Sequence, residues 1–143
     1  MDPLVALAAV AALVLVTAVL GGIAHKRGAR VKRLEGAKSK SIDLDSLGVS
    51  SPDGSWSIVQ FTTEWCAQCP GVARSIRHSL GDRGDTVFAE VDLTSRAELA
   101  AQHGILQTPT VFVVDPDGNL AARLSGPVKG SQVVAVIDSA VLT

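Results

Sequence analysis

Trp65-Cys66-Ala67-Gln68-Cys69-Pro70 holds the only two cysteines of the chain. They stand two residues apart, just past the apolar run Ile58-Val59-Gln60-Phe61-Thr62. Two thiols at this spacing can close a small ring without large backbone movement. A strand that stops just before the first cysteine holds it still. A helix that begins at that cysteine points N–H groups and the positive end of its dipole at the sulfur. That field favours thiolate, the form that attacks a disulfide. The stretch therefore reads as a redox pair at a strand-to-helix junction.

The elements on either side support that reading. Trp56 to Thr62 is rich in β-branched and aromatic residues and reads as a strand. After the cysteines, Val72, Ala73, Ile76 and Leu80 recur at helical spacing, with Arg74, Arg77 and His78 on the other face. Thr86 to Val91 is a second strand, and Ser95-Arg96-Ala97-Glu98 reads as a capping box that opens a short helix ended by Gly104. Thr110 to Val114 is a continuous apolar run, as in a strand buried on both faces. Asp115-Pro116-Asp117-Gly118-Asn119 is a tight turn, and Leu120 to Leu124 returns as a hairpin strand. Val133, Val136, Ile137, Ala140 and Val141 form one helical stripe, which Ser131 can cap. The first connections imply parallel pairing through right-handed crossovers, and the hairpin adds an antiparallel edge. The expected fold class is α/β, a small mixed sheet with helices on both faces.

The N-terminal part differs in kind. Residues 4–24 carry no charge and inflate the mean hydropathy to +0.32. As a helix, about 21 residues would run roughly 31 Å, the thickness of a bilayer core. Met1-Asp2-Pro3 lacks the basic start of a cleaved signal, so a retained helix is favoured over a signal or a buried helix. Lys26, Arg27, Arg30, Lys32, Arg33, Lys38 and Lys40 follow, opposed only by Glu35, and leave the rest of the chain acidic. These bases read as a solvated tether that can lie against anionic headgroups. Basic flanks stay in the cytoplasm, which favours a cytoplasmic domain on a single-pass cell-membrane anchor, with an extracytoplasmic domain as the alternative. Ile42 to Leu47 alternates and permits a short edge strand. The expected organisation is residues 1–24 as a transmembrane helix, 25–41 as a basic juxtamembrane tether and 42–143 as the folded domain. Two cysteines build no disulfide framework and no closed zinc site, and a nucleic-acid partner is not indicated. His78 and His103 read as structural.

From about Ser55 to Thr143 the chain resembles the thioredoxin family. The likeness rests on Glu64-Trp65-Cys66-Ala67-Gln68-Cys69, on Val91-Asp92, on His103-Gly104-Ile105 leading to Gln107-Thr108-Pro109-Thr110, and on the Asp117-Gly118 hairpin with its closing helix. The resemblance implies a thioredoxin-like domain with Cys66 as exposed nucleophile and Cys69 as buried resolving thiol. It implies exchange through a mixed disulfide with protein dithiol or disulfide substrates, an electron donor and no cofactor or metal. It further implies a cis Pro109 that turns the Thr108 backbone outward to pair with substrate, and a Trp65 that packs beside the site. The plainer alternatives are a trans proline that starts a strand and a core tryptophan without a substrate role.

Three departures bear on function. Ala67-Gln68 replaces the family's usual Gly-Pro, and Pro70 removes a donor at the helix start. Gln60 stands at the family's buried aspartate, the proton-relay position, and Phe88 at its lysine neighbour. An amide cannot relay a proton, which points away from a general-purpose reductase. The leading function is a membrane-anchored thiol–disulfide oxidoreductase acting as a reductase. The alternatives are a thioredoxin-fold interaction module and a sulfur-handling partner at the membrane.

Overall fold

Thr110–Val114 is buried at every position and occupies the middle of a five-stranded sheet. The computed structural model describes residues 3–25, 30–33 and 40–141. In chain order the elements are α1 (Pro3–His25), β1 (Arg30–Arg33), a 3-10 turn (Asp45–Leu47), β2 (Trp56–Thr62), α2 (Cys69–Leu80), β3 (Thr86–Asp92), α3 (Ala97–Gln102), β4 (Thr110–Val114), β5 (Leu120–Ser125) and α4 (Gly130–Val141). The sheet order is β1-β5-β4-β2-β3. Only β2 and β3 pair in parallel, with Trp56 opposite Thr86 and Thr62 opposite Asp92.

The direction of β4 corrects one expectation. β4 runs antiparallel to β2, with Phe61 opposite Thr110, so the second crossover is not a parallel one. The reason is length. Six helical residues in α3 rise about 9 Å, whereas a seven-residue strand runs about 23 Å. α3 cannot carry the chain back along the sheet. β4 therefore starts at the end where β3 stops, which is also the end where β2 delivers the cysteines.

Alternation divides the core in two. On one face Ile58, Val111, Val113 and Leu124 pack with Val72 and Ile76 of α2 and Val133 and Ile137 of α4. On the other, Val59, Phe61, Phe112 and Val114 pack with Leu99 of α3 and with Ile42, Leu47 and Val49. The expected stripe on α2 is buried in full, while that on α4 ends at Ile137 and leaves Val141 exposed. Asp115 Oδ1 accepts from the Asp117 and Asn119 N–H groups, and Gly118 takes φ 80°, so the tight turn forms as read.

Other expectations give way. Ser41 makes an isolated bridge to Asn119, after which Ser46 bonds back to Asp43 and winds a 3-10 turn where an edge strand was permitted. Ser95 caps nothing. The Arg96 N–H bonds the Leu93 carbonyl, and that preliminary turn moves the start of α3 to Ala97. Ser131 is likewise not the cap of α4; Gln132 Oε1 accepts from the Lys129 N–H at 2.9 Å, the reciprocal half of a capping box.

The tether is more than a solvated spacer. Arg30–Arg33 pairs antiparallel with Ala122–Ser125, which makes β1 the sheet edge in place of the hairpin strand. An edge of basic residues resists pairing with further strands. Lys26, Arg27, Glu35 and Lys38 lie outside the described residues, as do Met1 and Asp2. The expected membrane helix is met as a helix: α1 is unbroken from Pro3 to His25, with Leu7 and Leu13 about two-thirds exposed. Among the described residues, however, no helix is long and apolar enough to cross a membrane.

Candidate functional site

Three loops meet at the end of the sheet where β2 and β3 finish and β4 begins. The first runs from Thr63 into α2. Cys66 and Cys69 are joined as a disulfide, with Cα atoms 5.5 Å apart. The Cys69 N–H donates to the Cys66 carbonyl, closing a turn between them. The helix begins at Cys69, not at Cys66 as the junction suggested. Pro70 falls in its first turn, where a missing N–H leaves no helical bond unmade. The two sulfurs are unequally placed: Cys66 is half-buried, and Cys69 is 1% exposed.

The second loop is Gln107 to Pro109. The Thr108–Pro109 peptide is cis, and Pro109 is buried with its carbonyl accepting from the Gly126 N–H. Thr108 is half-buried, and its hydroxyl lies 3.4 Å from the Thr63 hydroxyl, tying this loop to the one that carries Cys66. Trp65 does not pack over the pair as a shield. It is 81% exposed, the most accessible aromatic of the site.

The third loop supplies a residue the sequence reading missed. Thr94 Oγ1 accepts from the Glu64 N–H at 2.9 Å, and both Thr94 groups donate to Asp92 Oδ1. This clamp fixes the chain just before Trp65. The bond from the Thr94 hydroxyl, then that from its backbone N–H, holds the Asp92 carboxyl below its ordinary range. Asp92-Leu93-Thr94 was legible only as a strand end, because an Asx-type turn shares its composition with many loops.

Behind the disulfide lies Gln60, fully buried. Its Nε2 donates to the Cys69 carbonyl at 3.0 Å, and its Oε1 has no hydrogen-bond partner among the described residues. Phe88 pairs with Ile58 rather than with Gln60, and the Arg77 guanidinium stacks over its ring at 4.7 Å and reaches Glu90. That cation is thus engaged at the surface. His103 stands apart from the disulfide, buried beside the rings of Phe61 and Phe112. Among the described residues no group of three or more His, Cys, Asp or Glu is placed to hold a metal ion.

Such a sheet, with a Cys-x-x-Cys pair at its helix junction and a cis-proline loop tied to it, defines the class of thioredoxin-like dithiol proteins. The model of the Thioredoxin family matches residues 49–139, and the chain belongs to that family. It is 29% identical over 82 residues to a probable thioredoxin-2 of Caenorhabditis elegans, covering 57% of this chain and 56% of that one. It is 31% identical over 62 residues to a putative thioredoxin 2 of Streptomyces coelicolor, covering 43% and 46%. The chain thus spans about half the length of the curated relatives it matches. Among solved structures it resembles a malaria parasite thioredoxin-2, described as a component of that parasite's protein secretion machinery. The TM-score is 0.56 at 20% identity, over 75% of this chain and 99% of that one. The thioredoxin of Fasciola hepatica gives a TM-score of 0.50 at 22% identity, over 60% and 82%.

Proposed function

We propose that the protein is a thiol–disulfide oxidoreductase anchored to a membrane by α1, acting on protein disulfides as a reductase. The observation that carries the reading is the unequal burial of two bonded cysteines at a family site. In the reducing direction the Cys66 thiolate attacks a substrate disulfide. A Cys66–substrate bond forms, and the first substrate sulfur leaves as a thiolate. Cys69 then gives up its proton and attacks Cys66 Sγ. The Cys66–Cys69 bond forms, the mixed disulfide breaks, and the second substrate sulfur leaves to be protonated. An electron donor returns the pair to the dithiol. Trp65 offers exposed aromatic surface for the substrate to cover, and Thr108 offers backbone beside the pair.

Anchoring is supported by the uncharged run of residues 4–24 and by the unbroken helix over it. The basic residues after α1 favour a cytoplasmic domain, where thiols are held reduced and the pair would serve membrane-associated partners.

Trapping tests the chemistry. Cys69→Ser should hold substrates as mixed disulfides on Cys66, released by reductant and absent from Cys66→Ser. No trapped species from Cys69→Ser, with the protein folded and reduced, would refute the reading.

A further inference from the structure

The oxidised pair leaves one polar atom unexplained. Gln60 is fully buried, and its Oε1 has no partner among the described residues. Buried acceptors in folded proteins are nearly always satisfied, because leaving one unmet forfeits its hydration without return. The amide is not free to turn away. Its Nε2 is held by the Cys69 carbonyl at 3.0 Å. Nε2 and Oε1 share one carbon, so the bond to the Cys69 carbonyl also holds the oxygen in place, on the amide that borders Cys69. Cys69 is itself 1% exposed, so solvent does not serve either group freely. In the disulfide, its sulfur has no proton to offer.

Reduction changes that. It adds two electrons and two protons to the pair, and the Cys69 sulfur becomes a thiol, a weak donor. We propose that Gln60 Oε1 is the hydrogen-bond acceptor of the Cys69 thiol in the dithiol state. This rests on the reading of Cys66 and Cys69 as a cycling pair. The contact exists on one side of the redox cycle only, so it favours dithiol over disulfide. It also sets the proton route. An amide oxygen accepts a hydrogen bond but does not take the proton at neutral pH. When Cys69 attacks the mixed disulfide, its proton must pass to the departing substrate sulfur or to solvent. Gln60 is therefore a positioning residue that holds the resolving thiol protonated and aimed until a leaving group arrives.

The test reads the thiol itself. In the full chain in detergent, Cys66→Ser leaves Cys69 as the one thiol, with one S–H stretching band in the infrared. That band should lie at lower wavenumber than in Cys66→Ser/Gln60→Met, where a near-isosteric thioether replaces the amide. In the two-cysteine protein, Gln60→Met should shift the equilibrium with glutathione toward the disulfide by about threefold to tenfold. An S–H band at the same position in both folded variants, or an unmoved equilibrium, overturns the proposal. If Gln60→Met does not fold, the unsubstituted protein decides by NMR. Its Gln60 side-chain carbonyl carbon should move downfield on reduction, and an unmoved resonance refutes the contact. Both readings stand apart from the trapping experiment, since Cys69 in Cys66→Ser keeps its thiol whether or not the protein turns over substrate.

Discussion

At the scale of single residues, exposure separates the two sulfurs. Once the pair is reduced, iodoacetamide should label Cys66 first, with Cys69 reacting only when the protein unfolds; peptide mass spectrometry reads the order. The Thr94 clamp makes a second prediction. Thr94→Val removes the hydroxyl that holds both Asp92 and the Glu64 N–H. The Asp92 carboxyl should titrate higher than in the parent protein, and the amide of Glu64 should exchange faster with deuterium, both by NMR. His103 makes a third. Its ring nitrogens are buried without hydrogen-bond partners among the described residues, and burial, followed by the charge of Lys40, lowers its pKa from the ordinary 6.5. Arg123 donates to the His103 backbone carbonyl. In the unfolded chain the imidazole takes a proton near pH 6.5, whereas in the folded protein it takes one only at lower pH. Stability should thus be full above pH 6.5 and fall as pH drops below it toward the lower folded value. Urea midpoints across pH 7 to 5 should show that slope, and His103→Phe should flatten it. The histidine was legible as structural, but its burial was not, because no periodic pattern marks residue 103 as inward. That of Gln60 was, because the thioredoxin resemblance sets it at the family's buried aspartate position.

At the scale of elements, the helices were legible by their stripes and the strands by their β-branched runs. Their ends were not, because caps depend on one bond each. Cys69 rather than Cys66 starts α2, and Gln132 rather than Ser131 closes the start of α4. The meeting of α2 with α4 was hidden for another reason: its partners are far apart in the chain. The Gly130 N–H donates to Ser75 Oγ across 55 residues, and a Cβ on Gly130 would stand 2.1 Å from the Ser75 carbonyl oxygen and 2.4 Å from Ser79 Oγ. Gly130→Ala sets two effects against each other. Helix propensity gains up to about 1 kcal/mol. Overpacking costs about 1–3 kcal/mol, and more where backbone is the obstacle. Because the obstacle here is a carbonyl of a packed helix, the net change should be destabilising by about 1–2 kcal/mol. The urea midpoint should fall accordingly, while the order of cysteine labelling stays the same.

At the scale of the molecule, the arrangement of the sheet was legible except where one short helix reversed a strand and at the edge that β1 adds. The family likeness from about Ser55 to Thr143 carried the rest. β1 escaped notice because Arg-Val-Lys-Arg has neither an apolar run nor alternation long enough to read as a strand. Charge asymmetry around α1 yields the prediction at this scale. An alkaline phosphatase fused after Thr143 should be inactive, and a fluorescent protein fused there should light. A strongly active phosphatase fusion would place the domain outside and change the substrates to consider.

The pairing of β1 with β5 also bears on where the protein can search. Only residues 26–29 separate the last residue of α1 from the first of β1. From His25 to Arg30 the chain takes five Cα–Cα steps, which even fully extended span at most about 18 Å. With α1 in the bilayer, the redox end of the domain sweeps a thin layer against the membrane instead of a sphere of solution. Meetings with a partner that is itself membrane-bound would then be lateral encounters, and their frequency would follow the number of such partners per unit of membrane area. For such partners, doubling the soluble volume would leave the encounter rate unchanged, and doubling the membrane at fixed copy number would halve it.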